Sequence, residues 1–448
     1  YQNLDQFMNF ETLPGFRTFY PEDCFLRNYI FNIWRSSAHT YNFSEYDAPT
    51  LEPLELYKEK SGEEIVNQLF NFKDKGDRAV ALRPEMTPSL ARLVGAKAKS
   101  LKRPVKWFSI GEQFRYERPQ KGRLRSFYQF NVDILGEAGV GADAELIACL
   151  VDTLRAFDLD FEDFKVRLSD RQLWILFLKH WNVGDEQMTP VLSIMDRMTR
   201  LKKDQLEIQL TSYFGESTAH FIDTVEELMA INSESALVNF FANLKLSESN
   251  KQLIDERLGD LASLTQLINS MEIGHYVSID FSIVRGLAYY TGFVFEAFEA
   301  RGEGRALAGG GRYDDLIDRL TSNAMEAVGF AMGDVTLLDL LESKGKLPNF
   351  SQKRDIMILF SEDEARSCAL ADAQFLRRSG MKIEYPLKHV SFSKQFKEAN
   401  QRGVPFVLIY GNEEIQKGMV KLKDFQTGEE CLIERNQTAL LDKLKTLF

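Results

Sequence analysis

Between Phe114 and Asp133 the chain reads FRYERPQKGRLRSFYQFNVD, where five cations, Arg115, Arg118, Lys121, Arg123 and Arg125, stand against two acids, Glu117 and Asp133. Pro119 and Gly122 mark a turn within the run. The flanking stretches VKWFSIGEQFRYE and SFYQFNVDILGE carry the aromatic and β-branched residues of strands. The pattern predicts an antiparallel hairpin with a long basic loop. Arginines on and beside such a loop can hold a polyphosphate bidentately, which a lysine ammonium cannot. The same composition also suits a surface hairpin laced with ion pairs.

Three more clusters carry the same ambiguity. In LRPEMTPSL, Glu85 and Thr87 follow a proline-marked turn; together they can meet a ligand's ammonium, or Thr87 can cap a helix. In VRGLAYYTGFVFE, Arg285 interrupts an apolar stretch, and a buried arginine is costly unless it is paired or faces an anion. Read as a strand, this segment places Tyr289 and Tyr290 on opposite faces, so one of them is expected in a pocket. LAGGGRYDD contains three consecutive glycines, which fit either a bulge or a close backbone approach.

The elements that must position these clusters follow from periodicity. A helix is expected over 22–39, strands at 51–57, 67–72 and 79–81, a helix over 87–98, and then the hairpin. Residues 170–272 turn to polar helical repeats with apolar positions three and four apart, the mark of a helical insertion. Strand character returns at HYVSIDFSIVRGLAYYTGFVFEAFEA and RALAGGGRYDDL, expected to rejoin the first sheet. Beyond a linker at 343–353, strands and helices alternate as in a small α/β domain over 354–448. The predicted fold class is α+β, an antiparallel sheet flanked by helices, with catalytic segments 1–169 and 273–342 on either side of the insertion.

In order and wording, the four clusters resemble the histidyl-tRNA synthetases, a class II aminoacyl-tRNA synthetase family, over nearly the whole chain. FRYERPQKGR resembles the second class-defining motif, VRGLAYYTG and AGGGRYD the two histidine signatures, and YDAPTLEPLELY with Pro49 the first motif, found at the dimer interface. GVPFVLIYG and MVKL are similar to the anticodon-binding domain. The resemblance implies attachment of L-histidine to tRNA(His) through a histidyl-adenylate, with ATP and Mg2+. It implies that Glu85, Thr87 and Gln129 hold the α-ammonium. Asp133 and Tyr290 would meet the imidazole nitrogens, with Tyr289 and Tyr313 completing that pocket. Arg115 and Arg285 would lie on the α-phosphate, reaching the histidine carboxylate as it attacks; Glu117 would read the adenine amino group and Arg123 the ATP phosphates. Arg118, Lys121 and Arg125 are assigned to the tRNA acceptor end.

One departure stands out. The third motif usually ends in an acid and an arginine that meets the γ-phosphate, but AVGFAMGDVTLLDLL places Val335 and Thr336 there. The alternative reading is a noncatalytic paralogue: a regulatory subunit of histidine biosynthesis, against which the retained Arg285 and the C-terminal domain count, or a histidine or tRNA sensor, motivated by the missing third-motif arginine. A net charge of −11 over 448 residues argues against a general polyanion binder, DNA included. The six cations and no acid between Glu85 and Glu112 fit a solvated helix face or an RNA-facing surface. The four cysteines and five histidines are scattered without metal-site spacing, so reduced thiols and no structural metal are expected. No apolar run reaches membrane-spanning length and YQNLDQFMNF lacks signal-peptide order, so no membrane association is expected. The expected location is cytoplasmic, with an organellar form carrying a removed leader left open. A homodimer is expected from the first motif.

Overall fold

The computed structural model describes residues 11–61, 68–198, 201–284, 289–301, 305–350, 356–361, 363–388 and 390–447. They fall into two units, Tyr1–Pro348 and Asn349–Phe448. The first opens with α1 (Pro21–Thr40), started by Pro21 and by the Tyr20 N–H donating to Asp23 Oδ2 at 3.0 Å. There follow β1 (Ser44–Glu45), β2 (Leu51–Pro53), α2 (Glu55–Ser61), β3 (Asn71–Lys73), β4 (Ala79–Leu82) and α3 (Thr87–Lys97). The strand expected over 51–57 thus stops at Pro53, where the Leu-Glu-Leu-Tyr run turns helical, and the one expected over 67–72 pairs only from Asn71. Next come the hairpin strands β5 (Val105–Phe114) and β6 (Ser126–Leu135), then α4 (Val140–Arg155) and β7 (Phe164–Asp170).

Six helices occupy the polar repeat: α5 (Arg171–His180), α6 (Asp185–Met195), α7 (Lys203–Phe214), α8 (Thr218–Met229), α9 (Glu234–Asn243) and α10 (Glu248–Ser270). The chain then forms β8 (Val277–Ile279), β9 (Phe293–Glu299), β10 (Ala308–Arg312), α11 (Leu316–Thr321), β11 (Ala327–Gly333) and α12 (Asp334–Ser343). The returning strands do rejoin the hairpin, in an eight-stranded sheet ordered β1-β5-β6-β11-β10-β9-β7-β8. Its six inner strands are antiparallel; β1 and β8 add in parallel at the edges.

Period-two alternation gives the sheet one apolar and one polar face. Phe130, Val132 and Ile134 of β6 point into the core, where Trp34 of α1 stacks on Phe130 at 5.5 Å and donates its indole N–H to Met332 Sδ at 3.2 Å. The helical segment is tied to the sheet by a buried ion pair: Arg257 of α10 donates to Asp170 at 2.7 Å while lying 3.9 Å over the Phe293 ring. Asp170 also caps α5 by accepting from the Leu173 N–H. In the basic stretch, Arg92 pairs with Glu52 and Lys106 with Glu145, each at 2.6 Å, while Lys97, Lys99 and Lys102 are exposed.

The second unit carries β12 (Ile356–Phe360), α13 (Asp363–Arg378), β13 (Ile383–Glu384), α14 (Phe392–Gln401), β14 (Phe406–Tyr410), α15 (Asn412–Gln416), β15 (Met419–Asp424), β16 (Glu430–Glu434) and α16 (Gln437–Lys445). Its sheet runs β13-β12-β14-β15-β16, parallel at the first three strands and antiparallel beyond. The short helix α15 was not evident from periodicity. Buried Gln395 locks α14 to β12, its amide exchanging hydrogen bonds with the Phe360 backbone at 3.0 and 2.9 Å.

Candidate active site

The polar face of the large sheet floors a cleft of about 860 Å3. Gln129, Asn131 and Asp133 alternate along β6 and all face it. Directly opposite on β11 stand Gly333, Ala331 and Gly329, each paired with one of these polar residues. Small residues there leave the space that the polar side chains occupy. A β-carbon on Gly329 would overlap the Asp133 carboxylate, lying 2.7 Å from its Cγ. The glycine run of β10 is a regular strand with close approaches rather than a bulge. A β-carbon on Gly310 would overlap the Gly329 carbonyl, and one on Gly311 would come 2.9 Å from the Tyr290 ring.

Asp133 is buried at the end of this floor and accepts a hydrogen bond from the Tyr313 hydroxyl at 2.5 Å. Burial pushes its carboxyl up to about 7, against the smaller lowering effect of the Tyr313 bond. Burial and the Asp133 charge hold the Tyr313 phenol well above its usual range. Unfolded, the Asp133 carboxyl titrates near 3.8. Its retained proton therefore favours the folded chain fully below that value, and the contribution is lost as pH climbs through about 7. Near neutrality this carboxyl can donate or accept, which suits a heteroaromatic ring with one nitrogen of each kind.

Tyr289 and Tyr290 both line the cleft, with ring centroids 4.7 Å apart. The expectation that only one would do so fails because they precede β9 in irregular backbone, where strand alternation does not apply. Glu85 and Thr87 line the cleft as well. Thr87 is not the helix cap: Met86 takes that position and Thr87 begins α3. The Gln129 Oε1 is buried with no hydrogen-bond partner among the described residues, an acceptor suited to an ammonium.

At the hairpin end, Arg115 donates its Nε–H to the Pro84 carbonyl at 3.1 Å and lies 5.1 Å over the Phe127 ring, so the guanidinium is oriented. Arg123 pairs with Glu117 at 2.6 Å; both line the cleft. Arg118 and Lys121 are exposed on the loop and outside the cleft lining. Arg125 is part-buried there, covering the Tyr116 ring at 4.6 Å and donating to the Glu117 carbonyl. Arg285 lies outside the described residues.

The cleft also contains residues that motif reading passed over: Asn131, Asp196, Glu296 and Arg305. The alternation in VGFAMG could have pointed to Asn131, since small residues at every second place on one strand leave room for larger ones on its neighbour. Buried Arg83 was missed too. It donates to the Glu112 and Ala48 carbonyls at 2.9 and 2.7 Å and holds the turn bearing Glu85. Arg312, next to the glycine run, is likewise structural, forking onto buried Asp143 and the Glu137 and Gly139 carbonyls. Breaking such a buried pair typically costs about 3–5 kcal/mol.

Comparison with known proteins gives a consistent result. The sequence signature described as histidyl-tRNA synthetase matches residues 15–337, and that of an anticodon-binding domain matches 355–446. A histidine–tRNA ligase from Opitutus terrae is 47% identical over 428 residues, 96% of this chain and 97% of its own. The chloroplastic/mitochondrial histidine–tRNA ligase of Arabidopsis thaliana is 36% identical, covering 94% and 84%. The crystal structure of apo S. aureus histidyl-tRNA synthetase superposes with a TM-score of 0.71 at 25% identity, over 97% of this chain and 100% of that one.

Proposed function

Because this chain belongs to the histidyl-tRNA synthetase family, we propose that the cleft described above is where histidine and ATP react. The protein is an ATP-dependent enzyme that attaches histidine to tRNA. The observation that carries the site assignment is the gathering in one cleft of an ammonium set, a heteroaromatic pocket and two arginines at the hairpin end. Glu85, Thr87 and Gln129 offer a carboxylate, a hydroxyl and an amide oxygen to three N–H donors. Asp133 and Tyr290 bind the two imidazole nitrogens, and Tyr289 and Tyr313 close the pocket. A site built on such polar pairs rejects isosteres that leave them unpaired.

The histidine carboxylate then attacks the α-phosphorus in line, with Arg115 and Arg285 neutralising the charge that builds there. Glu117 receives the adenine amino group and Arg123 the phosphates, exchanging the ion pair they share in the free protein for contacts to ATP. No protein base is needed; positioning and charge stabilisation carry the step. The activated histidine passes to the terminal ribose of tRNA, whose acceptor end we assign to Arg118, Lys121 and Arg125. Magnesium would enter with the triphosphate and supply neutralising charge. Among the described residues no three His, Cys, Asp or Glu side chains form a metal cage. A carboxylate lining the cleft, such as Glu296, would hold the ion together with the phosphates and water.

Segments 1–169 and 273–342 form the catalytic domain in this reading, 170–272 the insertion, 343–353 the linker, and 354–448 the anticodon reader. The latter's presence speaks against a purely regulatory paralogue. A homodimer is proposed through the small sheet β2-β4-β3, which exposes Leu51 and Phe72 beside the Pro49 motif. A cytoplasmic site of action is proposed; no helix of the described residues is long and apolar enough to cross a membrane. The test is charging. Purified tRNA incubated with ATP and labelled histidine is expected to acquire label, and equal labelling by another amino acid overturns the reading.

A further inference from the structure

The hairpin loop closes on Gly122, whose φ of +70° is left-handed. A β-carbon built there would come 3.1 Å from Arg305 Cδ, 3.8 Å from Arg305 Nε and 3.5 Å from Thr336 Cγ2. Arg305, from the segment entering β10, and Thr336, in the first turn of α12, therefore reach one point on the loop, beside Arg123. The sheet register explains the meeting. Ala308 pairs with Met332, and the Gly333 N–H donates to the Leu307 carbonyl at 3.3 Å. Two residues further back, Arg305 arrives where β11 gives way to α12.

Thr336 cannot offer a charge at this place. Arg305 can, and it lines the same cleft as Arg115 and Arg123. With Arg115 turned toward Pro84 and Phe127 and Arg305 at the loop tip, the cations are spread along the cleft as the charges of a triphosphate are spread along its chain. We propose that Arg305 binds the β- and γ-phosphates of ATP and stabilises the departing pyrophosphate. This deepens the histidine-activation reading and rests on it. In the step, an oxygen of the histidine carboxylate bonds to the α-phosphorus. The bond from that phosphorus to the oxygen bridging to the β-phosphorus breaks, and its electron pair leaves on pyrophosphate. Arg305 meets the charge that this departure concentrates.

The experiment compares wild type, Arg305→Ala and Arg305→Ala/Thr336→Arg. ATP and AMP affinities are measured without histidine, and pyrophosphate exchange with it. Arg305→Ala is expected to weaken ATP at least ~10-fold and leave AMP unchanged, since AMP lacks the two outer phosphates; exchange should fall ~100-fold, the usual cost of removing one such donor. The double variant should regain at least ~10-fold of the exchange, because a guanidinium grown from position 336 reaches the same place. Equal weakening of ATP and AMP, exchange within threefold of wild type, or no recovery in the double variant would each overturn the assignment. The ATP-to-AMP ratio needs no amino acid, so it reports on Arg305 even if the wild type proves to activate something other than histidine.

Discussion

Arg115→Ala is expected to slow single-turnover adenylate formation by ~100- to 1,000-fold while melting close to wild type. The magnitude comes from removing one preorganised charge donor at a developing oxyanion, about 3–4 kcal/mol of transition-state stabilisation. The near-normal melting follows from the side chain's surroundings. Arg115 is only half-buried, and truncation takes one hydrogen bond from the Pro84 carbonyl on the wall of the cleft, a loss of about 1 kcal/mol. Arg115→Lys should recover little, because an ammonium neither stacks flat on Phe127 nor spans two phosphate oxygens. Arg285→Ala, by its assignment to the same phosphate, should behave likewise. A folded Arg115→Ala protein with near-normal turnover would remove this arginine from the mechanism.

The second large effect is expected from a single methyl group. Gly329→Ala places a carbon against the Asp133 carboxylate and 3.0 Å from the Val132 carbonyl. Both strands are inner members of the sheet, so neither backbone can shift cheaply, and overpacking of this kind costs about 1–3 kcal/mol. The softer response is for Asp133 to rotate, breaking its bond to Tyr313 and leaving the proposed imidazole site misshapen. Histidine affinity should fall ~100-fold or more, as it does when a buried polar partner is left unpaired. ATP affinity should stay within a few-fold. The hairpin loop lies beyond Ser126, seven residues up β6 and so roughly 23 Å away at ~3.3 Å per residue. Calorimetric titration of each ligand separates the two. Equal losses for histidine and ATP would indicate a general collapse of the sheet instead.

What the sequence made legible were features with strong local signals. The hairpin was marked by β-branched strands around a Pro/Gly loop, and the helices that follow β7 by a switch from period two to period 3.6. Candidate side chains on the hairpin could be named because alternation along one strand fixes which of them share a face. Less legible was anything decided by contacts distant in sequence. Nothing beside Arg83 or Arg312 in the sequence marks either as buried, yet both are: Gly111 leaves room for the Arg83 guanidinium, and Gly292 lies against the stem of Arg312. Tyr289 and Tyr290 were misassigned to opposite faces because an apolar run looks like a strand even where the backbone is not paired. Arg305 carried no signal of its own. Its place beside Gly122 and Thr336 depends on the register of β10 on β11, which sequence spacing does not reveal.

The most direct measurement is amino-acid-dependent ATP–pyrophosphate exchange by the wild-type chain, run with each of the twenty amino acids in turn. Exchange driven by histidine, and at least ~100-fold weaker with any other amino acid, is the predicted result, since the proposed Asp133 and Tyr290 pair would penalise side chains that cannot satisfy both polar groups. Exchange absent with histidine, or matched by a second amino acid, would contradict the assignment of this cleft.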